Sequence, residues 1–294
     1  MKIKILSYIL KILFSSFLIT LSAGWADESK TPTSDSLSYY LEQAMYVDPE
    51  AIADIQNRYR TFIKLFDKKR SEERQTTGDE LIEIGKIIGM GVVAAILYGV
   101  IHDLITTQID FSYFSNLYFT HHGVYTARHF PFVYNSESRV LYALLWGTIA
   151  TWWVGLPIGG LSALSARISS NAPKNAPKMD WRDFVYPVAI LLGANLAIAL
   201  ATGGATYLTS GGNSLDTVAA MHNSSYLFGI LGGVLLPQYV YSSRLKETST
   251  ALKQCACFTK DVMRLFNEHP KNTKIQALIK LHMNSPYGNC MQTM

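Results

Sequence analysis

The sequence predicts an all-α fold, a polytopic bundle of membrane helices. Four apolar runs, about 84–105, 140–166, 184–208 and 226–241, approach the length that crosses a hydrocarbon core about 30 Å thick. In each run small residues recur every four positions, a spacing typical of membrane helices that pack closely. Only 16% of the 294 residues are charged, against about 25% in soluble domains. The net charge of +4 is too small and too scattered to indicate a nucleic-acid partner.

The second run, 140–166, carries no charge and is bounded by Arg139 and Arg167. Its small residues form a ridge along one helical face: Ala143, Gly147, Thr151, Gly155, Gly159 and Ala163. Such a ridge predicts close contact with another helix, either in the same bundle or in a second protomer. Pro157 predicts a bend, because its ring clashes with the carbonyl four residues earlier.

Small-residue stripes also occur in the other runs, for example at Gly91, Ala95 and Gly99. Asn195 lies in the middle of the third run. We expect its amide to hydrogen-bond to a neighbouring helix.

Residues 1–26 resemble a signal peptide or an uncleaved membrane anchor. Lys2 and Lys4 precede an apolar run, and Gly24 and Ala26 provide small residues before a cleavage site. Lys11 interrupts the apolar run. An ordinary or interfacial segment therefore stays an alternative.

Residues 27–83 form a polar, helix-prone region. Asp48 and Pro49 are typical of the first positions of a helix. Apolar residues then recur at helical spacing: Ile52, Ile55, Tyr59, Phe62, Ile63 and Phe66. This amphipathic, basic helix would lie on an anionic membrane surface or pack against protein.

The C-terminal tail, 245–294, is predicted to be soluble, with two short helices. All three cysteines lie there: Cys255, Cys257 and Cys290. Their odd number argues against a disulfide framework. Two thiols at Cys255 and Cys257 are weak support for a metal site.

The distribution of lysine and arginine predicts how the chain is oriented in the membrane. Fourteen lysines and arginines flank the spans on one side, against Arg128 and Arg139 on the other. The positive-inside rule places 27–83, the middle basic loop and the C-terminus in the cytoplasm of a cell inner membrane. A cleaved signal peptide would instead export 27–83. The two indications conflict. We follow the charge bias, because it is summed over three segments.

A candidate polar or ligand site lies toward the outer face. His102 and Asp103 end the first run, where they either meet water or face the bundle as an ionisable pair. Trp146 and Glu137 lie near the same level. Trp152 and Trp153 stand near mid-span, although tryptophan prefers membrane interfaces. They would pack in the bundle or line a pocket.

No catalytic, cofactor or metal motif occurs in the chain. The loop of about 106–138 is aromatic and contains His121, His122 and His129, but no spacing there fixes a metal geometry. We therefore expect this loop to cap the bundle. Metal binding by the three histidines stays open.

Several of these residues resemble a family of bacterial multi-pass membrane proteins that has no assigned activity. The matching residues are His102-Asp103, Ile105-Thr106, Tyr113-Phe114, Ser138, Trp146-Gly147, Ala150-Thr151-Trp152-Trp153 and Gly155. The resemblance covers about 98–240 and implies a membrane bundle without a reaction. Two departures are Ser112, where the family has Glu, and a longer loop that contains His121 and His122.

Two functions remain open from sequence. The first is a structural or accessory membrane protein that binds a second copy of the chain or another membrane protein. The alternative is a small transporter or ligand-binding protein with its polar site near the outer face. An intramembrane enzyme ranks third.

Overall fold

The computed structural model describes residues 36–72, 75–116, 121–168 and 176–284. The signal-like segment 1–26 and Cys290 lie outside the described residues. Within the described ranges the chain is helical and contains no strand, which confirms the all-α prediction.

The described ranges form twelve α-helices, with a π turn at Leu164–Ile168 and a 3₁₀ turn at Trp181–Phe184. The helices are α1 (Leu37–Ala44), α2 (Pro49–Arg58), α3 (Arg60–Glu72), α4 (Thr77–Ile109), α5 (Ser112–Ser115), α6 (His121–His129), α7 (Pro131–Ser136), α8 (Arg139–Ile149), α9 (Trp152–Ala163), α10 (Val185–Thr209), α11 (Ser214–Glu268) and α12 (Thr273–Met283).

Four helical stretches are long and apolar enough to cross a membrane, and they contain the four predicted runs. They are Thr77–Ile109, Arg139–Arg167, Trp181–Thr209 and Ser214–Glu268. Length and composition are therefore those of a helical membrane protein.

The chain divides into two compact units. The first contains Glu83–Ser165 and Asp180–Tyr239. The second contains the described residues of Ala23–Ile82, Ala166–Met179 and Val240–Met294.

In the first unit, the small-residue ridge of α8 and α9 packs against the small-residue stripe of α4. A Cβ added to Gly147 would lie 2.5 Å from the backbone nitrogen of Val100, and one added to Gly159 would lie 2.9 Å from the Cα of Ile88. Only glycine permits backbones to approach so closely. The contact predicted for this ridge is thus made within one chain.

The second membrane stretch is two helices rather than one. The interruption falls at Ala150 and Thr151, whereas α9 continues through Pro157, where a bend was expected. The Thr151 hydroxyl donates to the carbonyl of Gly147 at 2.5 Å. A side chain that bonds to the preceding turn competes with the helical backbone for that acceptor.

Helix α11 is much longer than the predicted fourth span. Gly211 and Gly212 turn the chain with φ of 69° and 90°, and the Asn213 side chain accepts from the backbone N–H groups of Leu215 and Asp216. The helix therefore starts at Ser214, and residues 214–225, expected in a loop, are helical. Its C-terminal part continues through the first helix expected in the tail.

In the second unit, the amphipathic face of α2 and α3 is buried against the C-terminal part of α11 and α12. All six apolar residues of the predicted stripe belong to this core, together with Phe258, Val262, Leu265 and Leu278. Packing against protein is therefore the correct alternative for this face, and the membrane-surface alternative is wrong. Cys255 is buried in the same core, whereas Cys257 is exposed, so the two thiols do not converge.

Candidate functional site

A buried ionisable cluster joins two membrane helices of the first unit. His102 and Asp103 of α4 are 3% and 6% exposed, and His222 of α11 is 5% exposed. Asp103 Oδ1 lies 3.2 Å from His102 Nδ1 and 3.4 Å from His222 Nε2. This burial contradicts the alternative in which His102 and Asp103 only mark where the helix meets water.

The orientation of His222 is fixed by its own helix. Its Nδ1 lies 3.0 Å from the carbonyl oxygen of Val218, one turn earlier. A carbonyl only accepts hydrogen bonds, so Nδ1 carries a proton. Nε2 is the nitrogen left to face Asp103.

Aromatic rings enclose the cluster. Tyr98 stacks on His102 with ring centroids 5.8 Å apart, and Tyr113 stacks on His222 at 4.7 Å. Burial raises the pKa of Tyr113, and the charge of Asp103 raises it further. The phenol of Tyr113 is therefore neutral beside the cluster at physiological pH.

The described part of the aromatic loop folds as three short helices, α5 to α7, that pack on α8. The Trp146 indole Nε1–H donates to Thr126 Oγ1 at 3.0 Å, and Trp146 meets the ring of His122 edge-on at 4.3 Å. Burial lowers the pKa of His122, and the charge of His222 lowers it further. His122 is therefore a neutral imidazole at pH 7.

The three loop histidines do not form a ligand group among the described residues. His121 and His129 are exposed, while the His122 ring is partly buried. Ser112 donates from its N–H to Asp110 Oδ1 at 2.8 Å. It thus contributes to the turn between α4 and α5.

An apolar cavity of about 690 Å³ lies within the first unit. Its lining runs along α4 from Ile87 to Asp103, which is about 24 Å at a rise of 1.5 Å per residue. On α11 it runs from His222 to Leu236. Because Asp103 and His222 meet, the cavity has an ionisable end at the cluster, and its other end lies at Ile87 and Leu236.

The predicted site residues separate into two groups. His102, Asp103, Trp146 and Trp153 line the cavity. Trp152 and Glu137 are not among its described lining residues. Trp152 is 47% exposed and Trp153 58%, so neither indole is packed inside the bundle. Glu137 is exposed and ends α7 with φ of 48°.

Sequence reasoning missed His222 because the polar segment around it, HNSSY, resembles a loop. The signal that could have found it is the turn Gly211-Gly212 followed by Asn213, which is typical of a helix start. Asn195 behaves as predicted: its Nδ2 donates to the carbonyl of Ser225 on α11 at 3.3 Å.

Four polar side-chain atoms of the described cavity wall are buried without a hydrogen-bond partner. They are His102 Nε2, His122 Nδ1, Ser162 Oγ and Asn195 Oδ1. A hydrogen bond between Tyr98 Oη and Ser225 Oγ, which are 2.8 Å apart, connects the surroundings of His102 with those of Asn195. No lysine or arginine is among the described residues that line the cavity.

Fold and site together define a helical membrane protein with an elongated apolar cavity that ends at a buried His–Asp–His cluster. Chemically, such a cluster can exchange a proton or hold a divalent metal ion. Comparison with protein-family descriptions, characterised proteins and solved structures finds no match to this chain.

Proposed function

We propose that this is a ligand-binding membrane protein that holds a long-chain amphiphile with a hydroxyl end group. The observation that carries the proposal is the elongated cavity of about 690 Å³ with its histidine and aspartate side chains at one end. Ligand sites in proteins have volumes of about 300–1,000 Å³, with mostly apolar walls and a few placed polar groups. An amphiphile matches that distribution of polarity.

Two of the four unsatisfied atoms in the described cavity wall, His102 Nε2 and Asn195 Oδ1, indicate the end group. Asn195 Oδ1 is an acceptor, so it needs a donor from the ligand, and His102 Nε2 also lacks a partner. A hydroxyl both donates and accepts, and it therefore satisfies either tautomer of His102. Because Asp103 is an acid and the described lining has no lysine or arginine, an anionic end group would be disfavoured.

The structural or accessory alternative loses one of its supports. Its ridge residues Gly147, Gly155 and Gly159 are in contact with α4 of the same chain. A second copy or another membrane protein would have to bind through other surfaces.

We also propose the topology that the charge bias predicts. Its three basic segments meet within the second unit: Arg167 Nη2 lies 3.0 Å from Glu80 Oε2, Lys178 pairs with Glu80, and Arg244 Nε donates to the carbonyl of Pro177. Segments in contact share one side of a membrane. The excess of lysine and arginine supports the cytoplasmic side of an inner membrane.

Fluorescence quenching tests the ligand proposal. In a variant that retains Trp146 as its sole tryptophan, a brominated long-chain alcohol added in mild detergent should quench emission saturably, because Trp146 lines the cavity. In protein stripped of metal with EDTA, the brominated fatty acid of equal length should bind more weakly, because the described cavity lining offers no lysine or arginine to its carboxylate.

A cavity-filling variant provides the matched control. A Cβ on Gly229, which lines the cavity, would meet only Asn195 Nδ2, at 3.8 Å, so Gly229→Leu has room. It should abolish saturable quenching. Gly193→Leu, on α10 with nothing within 4 Å, should leave it intact. Equal quenching in all three proteins would contradict the proposal.

A further inference from the structure

We propose that His102, Asp103 and His222 bind one divalent transition-metal ion, and that this ion is zinc. Each residue offers one ligand atom, and the three atoms lie within 4.8 Å of one another. This inference is independent of the amphiphile proposed for the cavity, because all three ligands belong to the chain.

The two distances that involve Asp103 fit zinc coordination. Zinc binds His nitrogen and carboxylate oxygen at about 2.0–2.2 Å, so two ligand atoms of a tetrahedral site lie about 3.3 to 3.6 Å apart. The Asp103 Oδ1 distances to His102 Nδ1 and His222 Nε2 are 3.2 and 3.4 Å. The described residues supply two nitrogens and one carboxylate, which leaves a fourth position for water or a ligand.

The hydrogen bond of His222 gives a second, independent argument. Because Nδ1–H donates to Val218, Nε2 is the nitrogen that faces Asp103 Oδ1, at 3.4 Å. A cation between these two atoms, either a proton or a metal ion, would bind both. Metal-binding histidines commonly donate their other N–H to a backbone carbonyl in this way.

The burial of the Asp103 carboxylate also favours a bound cation. Asp103 is 6% exposed, and a carboxylate in a membrane helix is costly without a positive partner. The described cavity lining offers no lysine or arginine. A zinc ion would neutralise Asp103. With His102 Nδ1 as ligand, Nε2–H would be free to donate to the ligand in the cavity.

Zinc content is the first measurement. Wild type carrying a tag without histidines is purified in mild detergent, stripped with EDTA, reloaded with zinc chloride, and assayed by elemental mass spectrometry after gel filtration. We expect one zinc per chain, and a loss of at least about 100-fold in zinc affinity in His222→Ala, more than the 10–100-fold typical of outer-shell changes. His269→Ala, from the less buried Asp48–Glu268–His269 group, should retain the ion.

A second measurement does not depend on whether His222→Ala folds. Zinc should raise the Tm of EDTA-stripped wild type, and cobalt should give the intense visible bands of a tetrahedral site that zinc then bleaches. No retained zinc and no rise in Tm would overturn the proposal and leave a proton as the cation between His222 and Asp103. An unchanged zinc content in folded His222→Ala would also overturn it. Gly229→Leu should keep zinc while losing the amphiphile, so the two proposals fail separately.

Discussion

Gly91 and Gly155 lie backbone against backbone, since a Cβ on Gly91 would be 2.8 Å from the carbonyl oxygen of Gly155. The contact joins α4 to α9 within the first unit. In a membrane, helices have little hydrophobic drive to associate, and close packing supplies the attraction instead.

Gly155→Ala should therefore destabilise the protein. The added Cβ would lie 2.7 Å from the Cα of Val92, and overpacking of this kind costs about 1–3 kcal/mol. The thermal unfolding midpoint in detergent measures the effect. Gly160→Ala, on the same helix with nothing within 4 Å, should be neutral. Equal midpoints for the two variants would refute the assigned contact.

The membrane spans could be predicted because length, lack of charge and small-residue spacing are local properties of the sequence. The partner of the small-residue ridge could not, since the ridge of Gly147 and Gly155 fits a helix of the same chain as well as a second protomer. The same limit applies to Phe62 and Phe66. Their spacing predicts a buried face, but only the structure places that face against Phe258.

Only part of the candidate site could be predicted, because its residues come from distant parts of the chain. His102 and Asp103 are visible as ionisable residues in an apolar run. Their partner His222 is about 120 positions away, in a segment whose polar side chains obscure the helical pattern. The pairing of distant residues depends on helix packing, which no local pattern encodes.

A charge pair in the second unit is expected to contribute strongly to stability. The side chain of Arg167 is fully buried, and its guanidinium pairs with Glu80. Glu80→Gln should cost about 3 kcal/mol, because a buried charge loses its counter-charge. The shift of the unfolding midpoint measures this cost.

The matched comparison is the pair formed by Arg58 and Asp54 of α2. Their side chains are 45% and 55% exposed, and exposed pairs contribute about 0–1 kcal/mol. Asp54→Asn should therefore shift the midpoint little. A larger effect in Asp54→Asn than in Glu80→Gln would be inconsistent with this difference in burial.

His282 should make the second unit sensitive to acid. Burial lowers the pKa of His282 to about 4, against about 6.5 in an unfolded chain. Between these values the unfolded state binds a proton that the folded state does not. The stability is therefore fully present above about pH 6.5 and is lost as the pH falls toward about 4, by about 3 kcal/mol.

Thermal unfolding between pH 7.5 and 4.5 tests this dependence. In His282→Leu the titrating group is absent, so the decline of the midpoint with falling pH should be shallower than in wild type. His129→Leu, which removes an exposed histidine, should follow the wild-type curve. The same slope in His282→Leu and wild type would assign the acid sensitivity to other groups.

The proposed topology is testable through Cys257, an exposed thiol on α11. A variant with Cys255→Ala and Cys290→Ala keeps Cys257 alone. A membrane-impermeant maleimide should label it in inverted inner-membrane vesicles and not in intact spheroplasts, because the charge bias places this segment in the cytoplasm. Ser136→Cys in a background without other cysteines should show the reverse, since residue 136 is exposed in the loop assigned to the opposite side. Labelling of Cys257 from outside would invert the topology, and it would favour export of the second unit by a cleaved N-terminal signal.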